Sequence, residues 1–185
     1  MQVLERSKEE IIAKANRMSD FLKMEYLERC SEKFGDLEIL KYCYVELVKL
    51  YEGRIMYSDS LRYLAKLQSL ITNSNEKFKI YEKEIDLFIK AGSYDNVISS
   101  YKNALKMTNE IGGFELRRKI VRMFREEATK FELSNKFASL ARLYEKLIPW
   151  CSDTERDDIR KRLLVAYKKL GKVRESLELE KRIHR

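Results

Sequence analysis

The stretch YEKEIDLFIKAGSYDNVISSYKNALKM, residues 81–107, decides the fold of this chain. Apolar side chains recur at helical spacing in residues 81–89, and the same period resumes in residues 94–105. Between the two runs, Gly92 can adopt the left-handed conformation that commonly ends a helix. The stretch therefore predicts two amphipathic helices joined by a tight turn. Neither helix can bury its apolar face alone, so the fold requires further helices of the same kind.

The same pattern recurs elsewhere in the chain. Bulky apolar residues lie eleven and four residues before Gly92, and two and nine residues after it. The arrangement repeats around Ile55 and Asn135, and partly around Gly171, where Arg160 and Glu180 replace the two outer aromatics. The residues in these places are Tyr81, Phe88, Tyr94 and Tyr101; Tyr44, Tyr51, Tyr57 and Leu64; Phe124, Phe131, Phe137 and Tyr144; and Tyr167 and Val173. The four central positions are Ile55, Gly92, Asn135 and Gly171. They are 37, 43 and 36 residues apart, a period typical of helical solenoids.

Residues 89–107 resemble the second half of a tetratricopeptide repeat. In that family a glycine is followed by an aromatic two residues on, a small residue five on, an aromatic nine on and an alanine twelve on. The corresponding residues here are Gly92, Tyr94, Val97, Tyr101 and Ala104, with Val97 the one departure. The resemblance extends over about residues 37–185. It implies an all-α fold, a right-handed superhelix of antiparallel helix pairs with about nine or ten helices.

The length of 185 residues fits one domain with a sizeable core. We expect N-terminal capping helices in residues 1–35, followed by repeats at residues 37–71, 75–108, 114–149 and 153–184. Residues 7–33 are predicted to form either a hairpin bent at Ser19 or one long helix. The glycine pair Gly112-Gly113 is predicted to end a helix before the third repeat.

Several classes of protein are disfavoured by composition. No apolar run approaches the roughly 20 residues needed to cross a bilayer, and the N-terminus lacks the apolar core of a signal peptide. Cys30, Cys43 and Cys151 are odd in number and far apart, so we expect small core residues in a reducing, cytoplasmic setting rather than disulfides. The sequence therefore favours a cytoplasmic protein without a membrane span.

Catalysis finds little support in the sequence. The one histidine, His184, is next to the last residue, so histidine base chemistry has no buried candidate. No Cys/His cluster has zinc spacing, and no glycine-rich phosphate loop is present. We therefore expect a protein that is not an enzyme and that needs no metal or other cofactor.

Positive charge is concentrated in the C-terminal part of the chain. Residues 1–112 contain 18 basic and 18 acidic side chains, whereas residues 113–185 contain 20 and 12, which accounts for the whole net charge of +8. The densest cluster is Arg117-Arg118-Lys119, followed by Arg122 and Arg125. Such residues commonly form a solvated helix face. Alternatively, their summed field attracts an anionic partner.

In tetratricopeptide arrays the first helix of each pair lines a concave groove. Transferred onto this chain, the resemblance places Arg122 and Arg125 on the groove in the third repeat, with Lys161 and Lys168 in the fourth. The leading hypothesis is accordingly a non-catalytic scaffold or adaptor that binds a peptide or helix of another protein. The basic C-terminal half favours an acidic partner.

Two other hypotheses remain open. An alternative basic face that includes Arg117 and Arg118 would bind nucleic acid or a ribosome, with Tyr42 and Tyr63 as the candidates for exposed stacking side chains. Alternatively, the C-terminal helix, with apolar residues such as Leu177, would join two copies of the chain into a homodimer. Steep loss of affinity with salt is the mark of the nucleic-acid hypothesis.

Overall fold

The computed structural model describes residues 2–183, which contain ten α-helices and no strand. The chain divides into two compact units, Met1–Leu87 and Phe88–Arg185. The first unit contains α1 (Lys8–Ala15), α2 (Asp20–Lys33), α3 (Leu37–Gly53), α4 (Tyr57–Leu70) and most of α5 (Ser74–Lys90). The second contains α6 (Tyr94–Leu105), α7 (Glu110–Leu133), α8 (Phe137–Leu147), a 3-10 turn (Ile148–Trp150), α9 (Asp153–Lys169) and α10 (Val173–Ile183). The all-α prediction is confirmed, and the right-handed superhelix stays a prediction.

The first helices begin at residues that can cap their free backbone N–H groups. The Ser7 hydroxyl accepts from the backbone N–H of Glu10 at 3.3 Å, and the Glu10 carboxylate accepts from the N–H of Arg6 at 2.9 Å. A second helix begins after Ser19, so residues 7–33 form two helices rather than one. Asp36 caps α3 by accepting from two backbone N–H groups, at 2.9 and 3.0 Å.

All four predicted turn positions have a left-handed backbone. Ile55, Gly92, Asn135 and Gly171 have φ angles of 63°, 70°, 54° and 68°, and they are the positive-φ residues of the described chain. The backbone N–H of the residue that follows each turn position donates to a carbonyl five residues before that donor, at 2.9 to 3.0 Å. This is the hydrogen bond of a Schellman motif, which satisfies carbonyls at a helix end. The four turn positions read from the sequence are therefore confirmed, and the division of the chain into repeats stays a prediction.

Each unit has a core made by the apolar stripes of consecutive helices. In the first unit α2 packs on α3 and α3 on α4; in the second, α7 packs on α8, α8 on α9 and α9 on α10. Fully or nearly fully buried side chains of the first unit include Ile11, Tyr26, Leu27, Cys30, Cys43 and Leu47. Those of the second include Leu116, Ile120, Phe124, Leu143, Tyr144 and Leu163. The three cysteines are buried, as predicted.

Hydrogen bonds between tyrosine and glutamate tie neighbouring helices together. One oxygen of Glu28 on α2 accepts from both Tyr51 at 2.6 Å and Tyr63 at 2.7 Å, and these two rings stack with centroids 5.6 Å apart. In the second unit, Glu132 accepts from Tyr144 at 2.6 Å. Burial and then the bond to Glu28 raise the pKa of Tyr51 to about 12. These tyrosines stabilise the helix packing.

Candidate functional site

Helix α7, which contributes most residues of the candidate site, begins earlier than predicted. The side chain of Asn109 accepts from the N–H of Gly112 at 2.9 Å, so α7 begins at Glu110 and not at Phe114. The prediction that Gly112-Gly113 ends a helix is wrong, because Asn109 caps a new one across the pair. A Cβ atom on buried Gly113 would lie 2.8 Å from Leu105 Cδ2. This glycine allows close approach between α6 and α7 rather than a chain reversal.

An open cavity of about 750 Å³ lies along α7 and reaches the start of α9. Its lining contains five cations and two carboxylates around an aromatic and aliphatic part. The lining residues are Phe114, Glu115, Arg117, Arg118, Lys119, Val121, Arg122, Arg125, Trp150, Ser152 and Glu155. We call this site the α7 cavity. Side chains three and four residues apart share one face of a helix, which is why Phe114, Arg118, Arg122 and Arg125 all meet it.

One wall of the α7 cavity is set by the turn before α9. Helix α8 ends at Leu147, and a 3-10 turn that contains Pro149 follows over Ile148–Trp150. The Trp150 ring lies edge-on to Tyr101, with centroids 5.0 Å apart. The Arg117 guanidinium donates to the Trp150 carbonyl at 3.1 Å and to the Pro149 carbonyl at 3.3 Å. Arg117 therefore fixes this turn against α7.

Arg125 has a close carboxylate partner on another helix, Glu155 of α9. Its guanidinium lies 3.0 Å from Glu155, which also accepts from the backbone N–H and the hydroxyl of Ser152 in the capping box of α9. The bonds from Ser152, and then the charges of Arg125 and Arg117, lower the pKa of Glu155. Glu155 thus stays ionised and neutralises part of the positive charge.

The other arginines keep more of their charge available. Arg122 lies 3.8 Å from Glu126, and both side chains are about two-thirds exposed, at 68% and 66%, so this pair contributes little. Within residues 2–183, the side chain of Arg118 has no ion pair or hydrogen bond. The partners of Arg117 are neutral carbonyls. The α7 cavity is therefore an electropositive site.

The structure brings together four of the six site residues singled out from the sequence. Arg117 and Arg118, expected on an alternative face, line the same cavity as the expected groove residues Arg122 and Arg125. Lys161 and Lys168 do not line it. Lys168 pairs with Glu180 of α10 at 2.6 Å and borders a separate depression next to that helix. Lys161 is exposed on α9.

Sequence reasoning missed the apolar part of the site. Phe114 is 71% exposed in the first turns of α7, and it lies four residues before Arg118 on the polar side of that helix. An aromatic residue on the same helix face as the arginines was the signal in the sequence that could have predicted the apolar part of the site. Conversely, the expected exposed stacking residues are elsewhere: Tyr63 is buried against Glu28, and Tyr42 is half-buried. Both belong to the packing of the first unit.

Other candidate chemistry is sparse in the described residues. Among residues 2–183 there is no cluster of three or more His, Cys, Asp or Glu side chains that could hold a metal ion. His184 lies outside the described residues. No helix within residues 2–183 is both long and apolar enough to traverse a bilayer. On α10, Leu179 is buried and Leu177 is 54% exposed, so one of its apolar residues packs inward and another faces out.

Comparison with known proteins places the chain in no family. No family model matches the sequence, and no curated protein matches it. Among solved structures, the chain is similar to the crystal structure of BtubC (BKLC) from P. vanneervenii, with 15% identity and a TM-score of 0.38. The match covers 95% of this chain and 78% of the other. At this similarity, the neighbour carries no argument about function.

Proposed function

We propose that this chain is a non-catalytic adaptor of the tetratricopeptide-like kind that binds an acidic segment of another protein in the α7 cavity. The observation that carries the proposal is the convergence of Arg117, Arg118, Arg122 and Arg125 on one open cavity. A cluster of like charges at a concave surface raises the local concentration of an oppositely charged partner. Arginine suits this role because its planar guanidinium can bind a carboxylate through two hydrogen bonds.

A peptide partner fits the site better than a nucleic acid does. Two carboxylates, Glu115 and Glu155, line the cavity beside the cations. A continuous phosphate backbone would meet repulsion from both of them, whereas a peptide brings N–H donors as well as carboxylates. The cavity volume of about 750 Å³ accommodates a few side chains. Both features favour a short acidic segment as the occupant.

The proposal is tested by selecting binders from a displayed library of random peptides. We expect Asp- and Glu-rich sequences to be enriched, and their binding to be lost in the double variant Arg118→Glu and Arg122→Glu. Lys136→Glu is the matched control for one charge reversal, because Lys136 is exposed in the same unit and does not line the cavity. Enrichment without acidic residues, or equal binding to the double variant, would contradict the proposal.

Nucleic acid is the competing ligand in the same assay. A pool of short single-stranded RNA is titrated at low and moderate salt beside the selected peptides. If RNA binds more tightly than every selected peptide, and its affinity falls steeply as salt rises, the site is an RNA site instead. Peptide binding with a shallow salt dependence supports the adaptor.

A further inference from the structure

The α7 cavity contains an apolar side chain that the fold of the second unit does not use. Phe114 is 71% exposed, although its ring is among the largest apolar groups in the chain. It is not part of the buried core, where the α7 side chains Leu116, Ile120 and Phe124 lie. Single exposed apolar residues are common on protein surfaces, so the distinguishing feature of Phe114 is its place in the lining of a cavity that also contains Val121 and Trp150. The phenyl ring is therefore available to a partner.

Two further apolar side chains of the α7 cavity complete a place for one bulky group. Val121 is 7% exposed and lies two helical turns after Phe114. Trp150 is half-buried and held edge-on against Tyr101, which fixes the orientation of its ring. Arg117 further fixes the backbone on which Trp150 lies, through two carbonyl hydrogen bonds. The Trp150 side of this apolar part is consequently preformed, which reduces the entropy cost of binding.

The cations lie on the same helix at a regular spacing from the apolar part. Arg118 and Arg122 follow Phe114 by four and eight residues, so the three side chains lie one turn apart, about 6 Å per step. Neither arginine has a carboxylate closer than 3.8 Å among the described residues. A partner side chain seated at Phe114 would therefore place its neighbouring carboxylates within reach of two incompletely neutralised guanidinium groups.

We infer that the occupant of the α7 cavity is an acidic segment with one bulky apolar or aromatic residue. That residue packs against Phe114, Val121 and Trp150, and the flanking carboxylates bind Arg118 and Arg122. This inference rests on the proposed function and adds the specificity of the site. Charge attracts the segment, and the apolar residue determines which acidic segment is retained.

The test compares a synthetic peptide selected from the library with the same peptide in which its apolar residue is replaced by serine. Affinities are measured by fluorescence anisotropy for the native chain, for Phe114→Ala and for Ile111→Ala. Ile111 is a matched control, since it is 69% exposed in the first turn of α7 and does not line the cavity. Because Phe114 and Ile111 are both exposed, neither variant should impair folding, which circular dichroism verifies.

We expect the serine peptide to bind the native chain about tenfold more weakly than its parent, the effect of burying one large apolar side chain. Phe114→Ala should weaken binding of the parent peptide to a similar degree and should hardly change binding of the serine peptide. Ile111→Ala should change the affinity of neither peptide. The inference is wrong if the selected peptides lack an apolar residue, or if Phe114→Ala leaves the affinity for the parent peptide unchanged. If reversal of Arg118 and Arg122 still abolishes binding in that case, the adaptor proposal stands. If charge reversal has no effect either, both are wrong.

Discussion

Replacing a glycine at the left-handed turns by alanine should destabilise the chain even though no atom is crowded. Gly92 and Gly171 have φ angles of 70° and 68°, and nothing lies within 4 Å of a Cβ atom built on either. A left-handed backbone costs an ordinary L-residue roughly 1 to 2 kcal/mol. Alanine also reduces the entropy of the unfolded chain, which offsets about 0.4 to 1 kcal/mol. The expected net loss is about 1 kcal/mol for each variant.

Urea unfolding followed by circular dichroism measures this loss for Gly92→Ala and Gly171→Ala. In a thermal scan, the same change should lower Tm by about 2 to 4 °C for a chain of this size. Gly53→Ala is the control, because Gly53 ends α3 without a positive φ and also has nothing within 4 Å of its Cβ position. The free energy of unfolding of that variant should rise by about 0.5 to 1 kcal/mol, because alanine has a better helix propensity than glycine. A shift in the same direction for all three variants would refute the backbone argument.

Two further predictions concern the first unit. Glu28→Gln should lower the free energy of unfolding in urea by about 1 kcal/mol, and Glu28→Leu by about 3 kcal/mol. Tyr51 and Tyr63 donate to one oxygen of Glu28, which an amide can still supply and a leucine cannot. Equal losses for the two variants would contradict this reasoning. Burial would raise the pKa of Glu5, but Lys14 at 2.7 Å and backbone hydrogen bonds lower it to about 2. Since the folded pKa lies below the unfolded one, the pair contributes stability above about pH 4.5 that is lost as the pH falls toward 2. Carboxyl NMR should show Glu5 titrating at a higher pH in Lys14→Met, and an unchanged titration would exclude this role for Lys14.

The adaptor proposal and its specificity depend on different residues of the same cavity. We propose that attraction of an acidic segment depends on the arginines and that selection among acidic segments depends on Phe114. The two contributions are therefore separable by mutation. A variant that loses Phe114 should bind acidic peptides more weakly and with less discrimination, whereas reversal of Arg118 and Arg122 should remove binding altogether.

Much of the fold follows from local signals in the sequence. Hydrophobic periodicity predicted the helices, and spacing from Gly92 located the turns, including those at Ile55 and Asn135, which are not glycines. The side chains of Ser7 and Asp36 cap α1 and α3, which is another local signal at helix starts. The start of α7 was missed because a glycine pair suggests a break, whereas a cap such as Asn109 allows a helix to begin across it.

The site was predictable only in part, for a physical reason. The sequence by itself determined that the C-terminal half is basic and that arginines recur along α7, because composition and helical spacing are local properties. Only the tertiary structure decided that Arg117 meets the carbonyl of Trp150 and that Arg125 meets Glu155, partners 33 and 30 residues apart. Such contacts depend on how α7, α8 and α9 pack, and packing is set by the summed fit of many buried side chains. That packing joins two predicted basic faces into one cavity and leaves Phe114 exposed within it.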